Sequence, residues 1–189
     1  MSLLICPVCG SPLSRETTAY RCANGHSYDI AKEGHTHLLP VNRKNSKAPG
    51  DDKGMAAARQ AFLSKEYYSP LKNELCKLSV NLTPVSPAVL DTGCGEGYYT
   101  AAIYRALCDA GKTPRMAGTD ISKFILRLAA KREKGVEFAV ASSYHLPVAD
   151  DSIDLLLNCF SPLALEEFSR VLHRGGLSYL RLQLPFSLS

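Results

Sequence analysis

The sequence lacks any apolar run approaching the roughly 18 to 20 residues that a helical membrane span requires. Its N-terminus, MSLLICPVC, has no basic leader and too short an apolar run for a secretory signal. No internal repeat interrupts the 189 residues, and the apolar and charged fractions, 46% and 21%, are those of an ordinary soluble globular protein. These absences predict a cytoplasmic chain without membrane contact. Charge of one sign is also scarce: a net +4 would ease the approach of a polyanion but identifies none. A sharper signal is local, in NRKNSKAPGDDK (42–53), where Arg43, Lys44 and Lys47 precede a Pro-Gly break. Such a segment suits a solvated linker first and a phosphate-touching arm second.

Cysteine is present in an odd number, seven, and unevenly placed. With no secretory signal, free thiols or metal ligands are the better reading than disulfides. In CPVCGSPLSRETTAYRCANGHSYDI, Cys6 and Cys9 are two residues apart, and Cys22 and His26 three. Tight turns carry each pair: Pro7 and Gly10 flank the first, and Asn24-Gly25 falls inside the second. Thiolate and imidazole suit tetrahedral zinc, so Cys6, Cys9, Cys22 and His26 are predicted to hold a Zn2+ ion. Four protein ligands leave no open position, which makes the metal structural: it replaces a core that forty residues cannot build. His35 and His37, in EGHTHLLP, read as loop or surface histidines.

Three blocks follow: residues 1–40 as a zinc-binding domain, 41–54 as a linker, and 55–189 as an α/β domain. MAAARQAFLSKEYYSPLKNELCKLSV reads as two helices interrupted near Ser69-Pro70. Beyond it, strands at Ala88–Asp91, Arg115–Thr119, Val136–Ala139, Ser152–Cys159 and Ser178–Leu182 alternate with helices at Gly97–Ala110, Ser122–Lys134 and Leu163–Leu172. The last helix is expected to stop at Gly175-Gly176.

The segment AVLDTGCGEGYYT is an apolar strand, an acid, a glycine loop and a helix. Glycines let the backbone turn sharply and approach a ligand closely. The spacing is GxGxG, without the GxGxxG of a dinucleotide site and without a Walker lysine. The second strand ends on Asp120, placed to accept both hydroxyls of a ribose at the carboxyl edge of the sheet. Asp91, Gly93, Gly95, Glu96, Gly97 and Asp120 together resemble the S-adenosyl-L-methionine site of a Rossmann-like class I methyltransferase. Within that resemblance the Ala141-Ser142-Ser143 segment falls where such enzymes contact adenine, and Cys94 is a small side chain beside the ligand.

Taken with the cysteine knuckle, the order of GHSYDIAKEGHTHLLP, PGDDKGMAAARQAFL, Tyr68-Ser69-Pro70-Leu71 and VLDTGCGEGYYT resembles the bacterial 23S ribosomal RNA guanine-N1 methyltransferases of the RlmA/RrmA group, from Cys6 to about Gly176. The resemblance implies zinc at Cys6, Cys9, Cys22 and His26, an rRNA hairpin recognised by the zinc domain, and cofactor contacts from Tyr68 and the Gly95-Glu96-Gly97 loop. Three departures are visible. The chain offers about five of the seven strands expected of the class, its ending LSYLRLQLPFSLS lacks the family's proline-rich turn and histidine, and His35 stands where an aromatic residue is expected. A C-terminally shortened chain is therefore expected, and self-association as a homodimer is left open.

For the chemistry, the sulfonium methyl needs an aligned attack at about 3 Å, whereas guanine N1 carries a proton at neutral pH and needs help losing it. No residue declares itself as that base. Asn158 and Ser161, in the Phe160-Ser161-Pro162 turn after the fourth strand, are the candidates for positioning substrate, and His145 is a candidate base by chemical type alone. Target N1 lies on the Watson–Crick edge, so a hairpin loop or a flipped base is the expected substrate, with Arg15, Arg21 and the linker cations on phosphates. The rival readings are a zinc-containing RNA-binding protein with an inactive methyltransferase domain and a small-molecule methyltransferase. A dinucleotide oxidoreductase ranks last.

Overall fold

A computed structural model describes residues 2–40 and 53–181. The expected linker cations Arg43, Lys44 and Lys47, and the ending from residue 182, lie outside the described residues. The N-terminal lobe is a three-stranded antiparallel sheet of β1 (Leu13–Arg15), β2 (Ala19–Cys22) and β3 (Ser27–Asp29), in that order. The larger sheet contains β4 (His35–His37), β5 (Ala88–Thr92), β6 (Arg115–Asp120), β7 (Glu137–Val140), β8 (Ile153–Cys159) and β9 (Leu172–Arg181). Its strands are parallel and ordered β4-β7-β6-β5-β8-β9. The helices are α1 (Lys53–Leu63), α2 (Ser69–Leu82), α3 (Tyr98–Asp109), α4 (Lys123–Arg132) and α5 (Leu165–Val171). Among the described residues, no helix is long and apolar enough to cross a membrane.

Local chemistry explains most boundaries. Every residue of β5 is buried, as expected of a strand covered on both faces of a parallel sheet. Pro70 sits in the first turn of α2, where its missing N–H would have had no helical partner. Ser122 caps α4, its Oγ accepting the Ile125 amide at 3.4 Å. Strand β5 lies between β6 on one side and β8 on the other, so the chain reverses direction across the sheet at β5. A crevice at such a switch point, outside the carboxyl ends of the strands, is where α/β sheets hold ligands.

Alternation along the strands separates two cores. Val89, Met116, Phe138, Leu155 and Leu157 pack with Ile103, Leu107, Leu126 and Ala129 of the covering helices. On the other face, Leu90, Ala117, Ala139 and Leu156 share one cluster with Leu4, Leu13 and Tyr20 of the N-terminal lobe and with Leu146, Val148 and Phe168.

Two boundaries differ from the sequence reading. The zinc-binding block was expected to end at residue 40, yet its last strand, β4, is the edge of the large sheet: His35, Thr36 and His37 pair with Phe138, Ala139 and Val140 of β7. His35 is accordingly buried rather than a surface histidine, because it faces α4 from an edge strand. Strand β9 begins at Leu172 rather than Ser178, since Leu172 is already extended where α5 ends. The Gly175-Gly176 pair lies inside that strand, at a register shift against β8, and Gly175 takes a φ of 90° that only glycine adopts without strain.

Candidate metal centre and cofactor cleft

The four sequence-predicted ligands converge. One ligand atom from each of Cys6, Cys9, Cys22 and His26 lies within 4.8 Å of all the others. Cys9 Sγ and Cys22 Sγ are 3.7 Å apart, and His26 Nδ1 is 3.5 Å from Cys6 Sγ and 3.3 Å from Cys22 Sγ. A tetrahedron with Zn–S near 2.3 Å and Zn–N near 2.0 Å has edges of about 3.8 Å and about 3.5 Å, which these three separations match. Tyr28 Oη stands 3.0 Å from Cys6 Sγ and can donate to that thiolate, the kind of outer contact that orients a ligand. The lobe is pinned to the large sheet by Glu137 of β7, whose carboxylate accepts the Tyr20 hydroxyl at 3.1 Å and the Leu3 amide at 2.9 Å. The Ile5 amide donates to Pro147 O at 2.9 Å, tying the lobe to the loop after β7.

The glycine loop follows β5 at the switch point. Gly93, Gly95 and Gly97 all have positive φ, and Gly97 begins α3 from a left-handed conformation. At Gly93 a Cβ would stand 1.9 Å from Ser161 Oγ, so glycine is required there twice, for conformation and for space. Asp120, at the end of β6, accepts the Gly95 amide at 3.0 Å and the Ser122 amide at 2.9 Å. Its carboxylate thus holds the loop.

Asp91 and Glu96 are both 2% exposed. The Asp91 carboxylate accepts the Thr100 hydroxyl at 2.5 Å. Burial, reinforced by the Asp120 charge and opposed by the Thr100 hydroxyl, pushes its pKa up to about 7. Burial also raises the Glu96 pKa, against the pull of Arg132, which binds Glu96 Oε1 at 2.6 Å. Glu96 Oε2 has no partner among the described residues. Cys94 is held well above the usual thiol range, by burial first and then by the Asp91 and Asp120 charges. It is therefore a thiol beside the cleft, not a thiolate nucleophile.

Two adjoining clefts of about 290 and 240 Å3 open above these residues. Gly93, Gly95, Arg59 and Phe160 line both. The first adds Asp120, Ser142, Ser143, Tyr144 and Ser161; the second adds Asp91, Glu96, Tyr68 and Phe62. Gly93 and Gly95, the three acids Asp91, Glu96 and Asp120, Tyr68 and the Ser142-Ser143 segment thus line adjoining clefts.

The candidates for substrate positioning separate. Ser161 lines the first cleft. Asn158 is 1% exposed, and its amide donates to Thr92 O and Pro162 O, each at 3.3 Å. It fastens the turn after β8 to the end of β5 and presents nothing outward. His145 closes a turn on Ser142 O and lines a neighbouring cavity of about 460 Å3 with Tyr144 and Leu163. Sequence reasoning missed Arg59, Phe62 and Tyr144 as cleft residues. The exposure of an aromatic on an amphipathic helix cannot be read from its period alone.

This parallel sheet, its switch-point glycine loop and its acid-tipped strands define the class: residues 89–176 match the family described as a methyltransferase domain. A structure described as an S-adenosyl-L-methionine-dependent methyltransferase from Methanococcus maripaludis superposes with a TM-score of 0.56 at 21% identity, over 72% of this chain and 66% of that one, a likeness of fold. The other end of the chain matches a second model. Residues 4–47 match the family described as RlmA, N-terminal, a zinc ribbon. Two family models thus match the chain in succession, an RlmA zinc ribbon and a methyltransferase domain.

It is similar to a protein of Micromonospora griseorubida provisionally described as a 23S rRNA (guanine-N(1)-)-methyltransferase, 36% identical over 92% of this chain and 63% of the relative. The 23S rRNA (guanine(748)-N(1))-methyltransferase of Streptomyces fradiae is 33% identical over 92% of this chain and 60% of the relative. The chain spans about three fifths of the length of these curated relatives.

Proposed function

We propose that this chain carries the zinc-binding and cofactor-binding parts of an S-adenosyl-L-methionine-dependent methyltransferase acting on guanine N1 in a hairpin loop of 23S rRNA. One observation carries the reading: an RlmA zinc ribbon shares a hydrophobic core and the Glu137 anchor with a sheet whose switch point forms a nucleoside-sized cleft. Gly93, Gly95 and Gly97 let the cofactor approach the backbone, Asp120 accepts its ribose hydroxyls, and Ser142 and Ser143 border its adenine. Asp91 and Glu96 supply the negative side of the second cleft, against the cofactor's cationic end, with Tyr68 as its lid.

When bound, the cofactor supplies an electrophilic methyl group. The chain supplies position: Ser161 and Phe160 sit at the end of β8, on the rim of the cleft that a flipped base would enter. Arg15 and Arg21, on β1 and β2, suit phosphates flanking the loop.

The test incubates the chain with radiolabelled S-adenosylmethionine and a 23S rRNA hairpin fragment, followed by primer extension. A methyl on N1 blocks the Watson–Crick edge, so reverse transcriptase should stop one nucleotide before the modified guanine. Incorporation without a stop would place the methyl elsewhere on the RNA. Binding of cofactor and hairpin with no incorporation would leave an RNA-binding protein with an inactive methyltransferase domain.

A further inference from the structure

An aromatic ladder leads out of the cofactor cleft to the surface. Phe160 and Tyr68 line the second cleft, with ring centroids 5.3 Å apart. Tyr68 meets Phe62 at 5.8 Å, and Phe62 meets Tyr67 at 5.4 Å. The inner ring is held at some conformational expense, because Phe160 has a φ of 58°, a left-handed conformation unfavourable for an aromatic residue. The outer rings are left in solvent: Phe62 is 46% exposed and Tyr67 62%. Arg59, one turn before Phe62 on α1, lines both clefts beside the ladder.

Folding alone gives no reason to hold a tyrosine and a phenylalanine against each other, tilted by 49°, in water beside a cleft. Exposed rings next to a cation are what proteins use to seat unpaired bases, since every base offers a π-face and its phosphate a negative charge. The ladder is also continuous with the cleft, so a strand whose target base enters the cleft would lay its neighbour on the outer rings.

Resting on the RNA-methylation reading above, we propose that the Phe62–Tyr67 pair is a stacking platform for the unpaired nucleotide next to the methylated guanine. The occupant is a nucleobase of single-stranded RNA, not a second protein surface.

The sequence contains no tryptophan, so Tyr67→Trp in the 189-residue chain creates a single fluorophore on the platform. Titration with a 23S rRNA hairpin should quench it saturably, and a fully paired duplex of equal length should not. Tyr67→Ala should lower hairpin affinity on the order of tenfold. Tyr67→Phe should retain that affinity, and in both variants the dissociation constant for S-adenosylmethionine should match the parent's.

Hairpin binding seen by anisotropy without quenching would overturn the platform while leaving the RNA reading intact. So would an unchanged hairpin affinity in Tyr67→Ala, or loss of self-association on sedimentation as that variant's only effect. If the folded chain binds no hairpin at all, the RNA reading fails and the platform with it.

Discussion

Asp91 gives the candidate site a signature that can be measured without any substrate. Its carboxyl is moved by burial from 3.8 to about 7. Between those values the folded chain holds a proton that the unfolded chain has released, so stability falls as pH rises. At about 1.36 kcal/mol per unit, raising the pH from 5 to 7 removes roughly 2.5 kcal/mol through this one group. Replacing Asp91 with Asn deletes the titration and keeps an acceptor for the Thr100 hydroxyl.

The assay is thermal unfolding of parent and Asp91→Asn between pH 5 and 8, with zinc in excess and no cofactor. Zinc ligands and every other titrating group are common to both proteins and cancel in the difference. The variant should gain roughly 5 to 10 °C on the parent across that range, at about 2 to 4 °C per kcal/mol for a chain of this size. Affinity of the parent for the cationic cofactor should rise as pH increases through 7, when Asp91 ionises, and stay flat in the variant. A melting difference that does not change with pH would refute the argument that this carboxyl is protonated in the ligand-free fold.

Other perturbations should separate the remaining parts of the molecule. Stripping zinc with a strong chelator should unfold the N-terminal lobe and weaken cofactor binding measured by titration calorimetry, because Leu4, Leu13 and Tyr20 share a core with Leu146 and Val148 beside the cleft. Gly93→Ala should abolish cofactor binding, since its Cβ would meet Ser161 Oγ at 1.9 Å; adding Ser161→Gly should restore part of it, the positive φ of 71° costing the rest. His35→Phe should raise the melting temperature by a few degrees, because both ring nitrogens of His35 are buried without partners among the described residues and the change is worth on the order of 1 kcal/mol. Burial lowers the His35 pKa below 6.5, so the parent should lose stability as pH falls below that value and the Phe variant should lose less.

What the sequence made legible was chemistry concentrated at short range. The ligand pairs Cys6–Cys9 and Cys22–His26, the loop Gly93–Gly97 and the Ser122 cap are each specified within a few residues, and each is where the spacing predicted. Strand β4 was hidden because HTH has no apolar alternation, and its partner, Phe138–Val140, lies a hundred positions away. The adjoining Leu38 and Leu39, both buried, were the available hint. Asn158 looked like a substrate-facing residue because it ends a central strand. Its inward role follows from two carbonyls, Thr92 O and Pro162 O, that only the folded chain brings to it. The ring ladder escaped for a similar reason: Tyr67, Phe62, Tyr68 and Phe160 belong to three different elements.

The way β4 and Glu137 are used also bears on how the two parts cooperate. A ribbon tethered only by residues 41–54 would place anything it bound at a variable distance from the cleft. Here residues 35–37 are already part of the large sheet, and Glu137 grips both the Leu3 backbone and the Tyr20 hydroxyl from the neighbouring strand. The same lobe donates from Ile5 to Pro147, five residues beyond Ser142 of the first cleft. Zinc therefore fixes more than its own turns: by ordering Leu3 to Tyr20 it sets one wall of the cleft and the angle at which the ribbon meets it. Under the proposed transfer of a methyl group to a guanine nitrogen, which needs an approach to about 3 Å, a rigid junction of this kind would do the aligning.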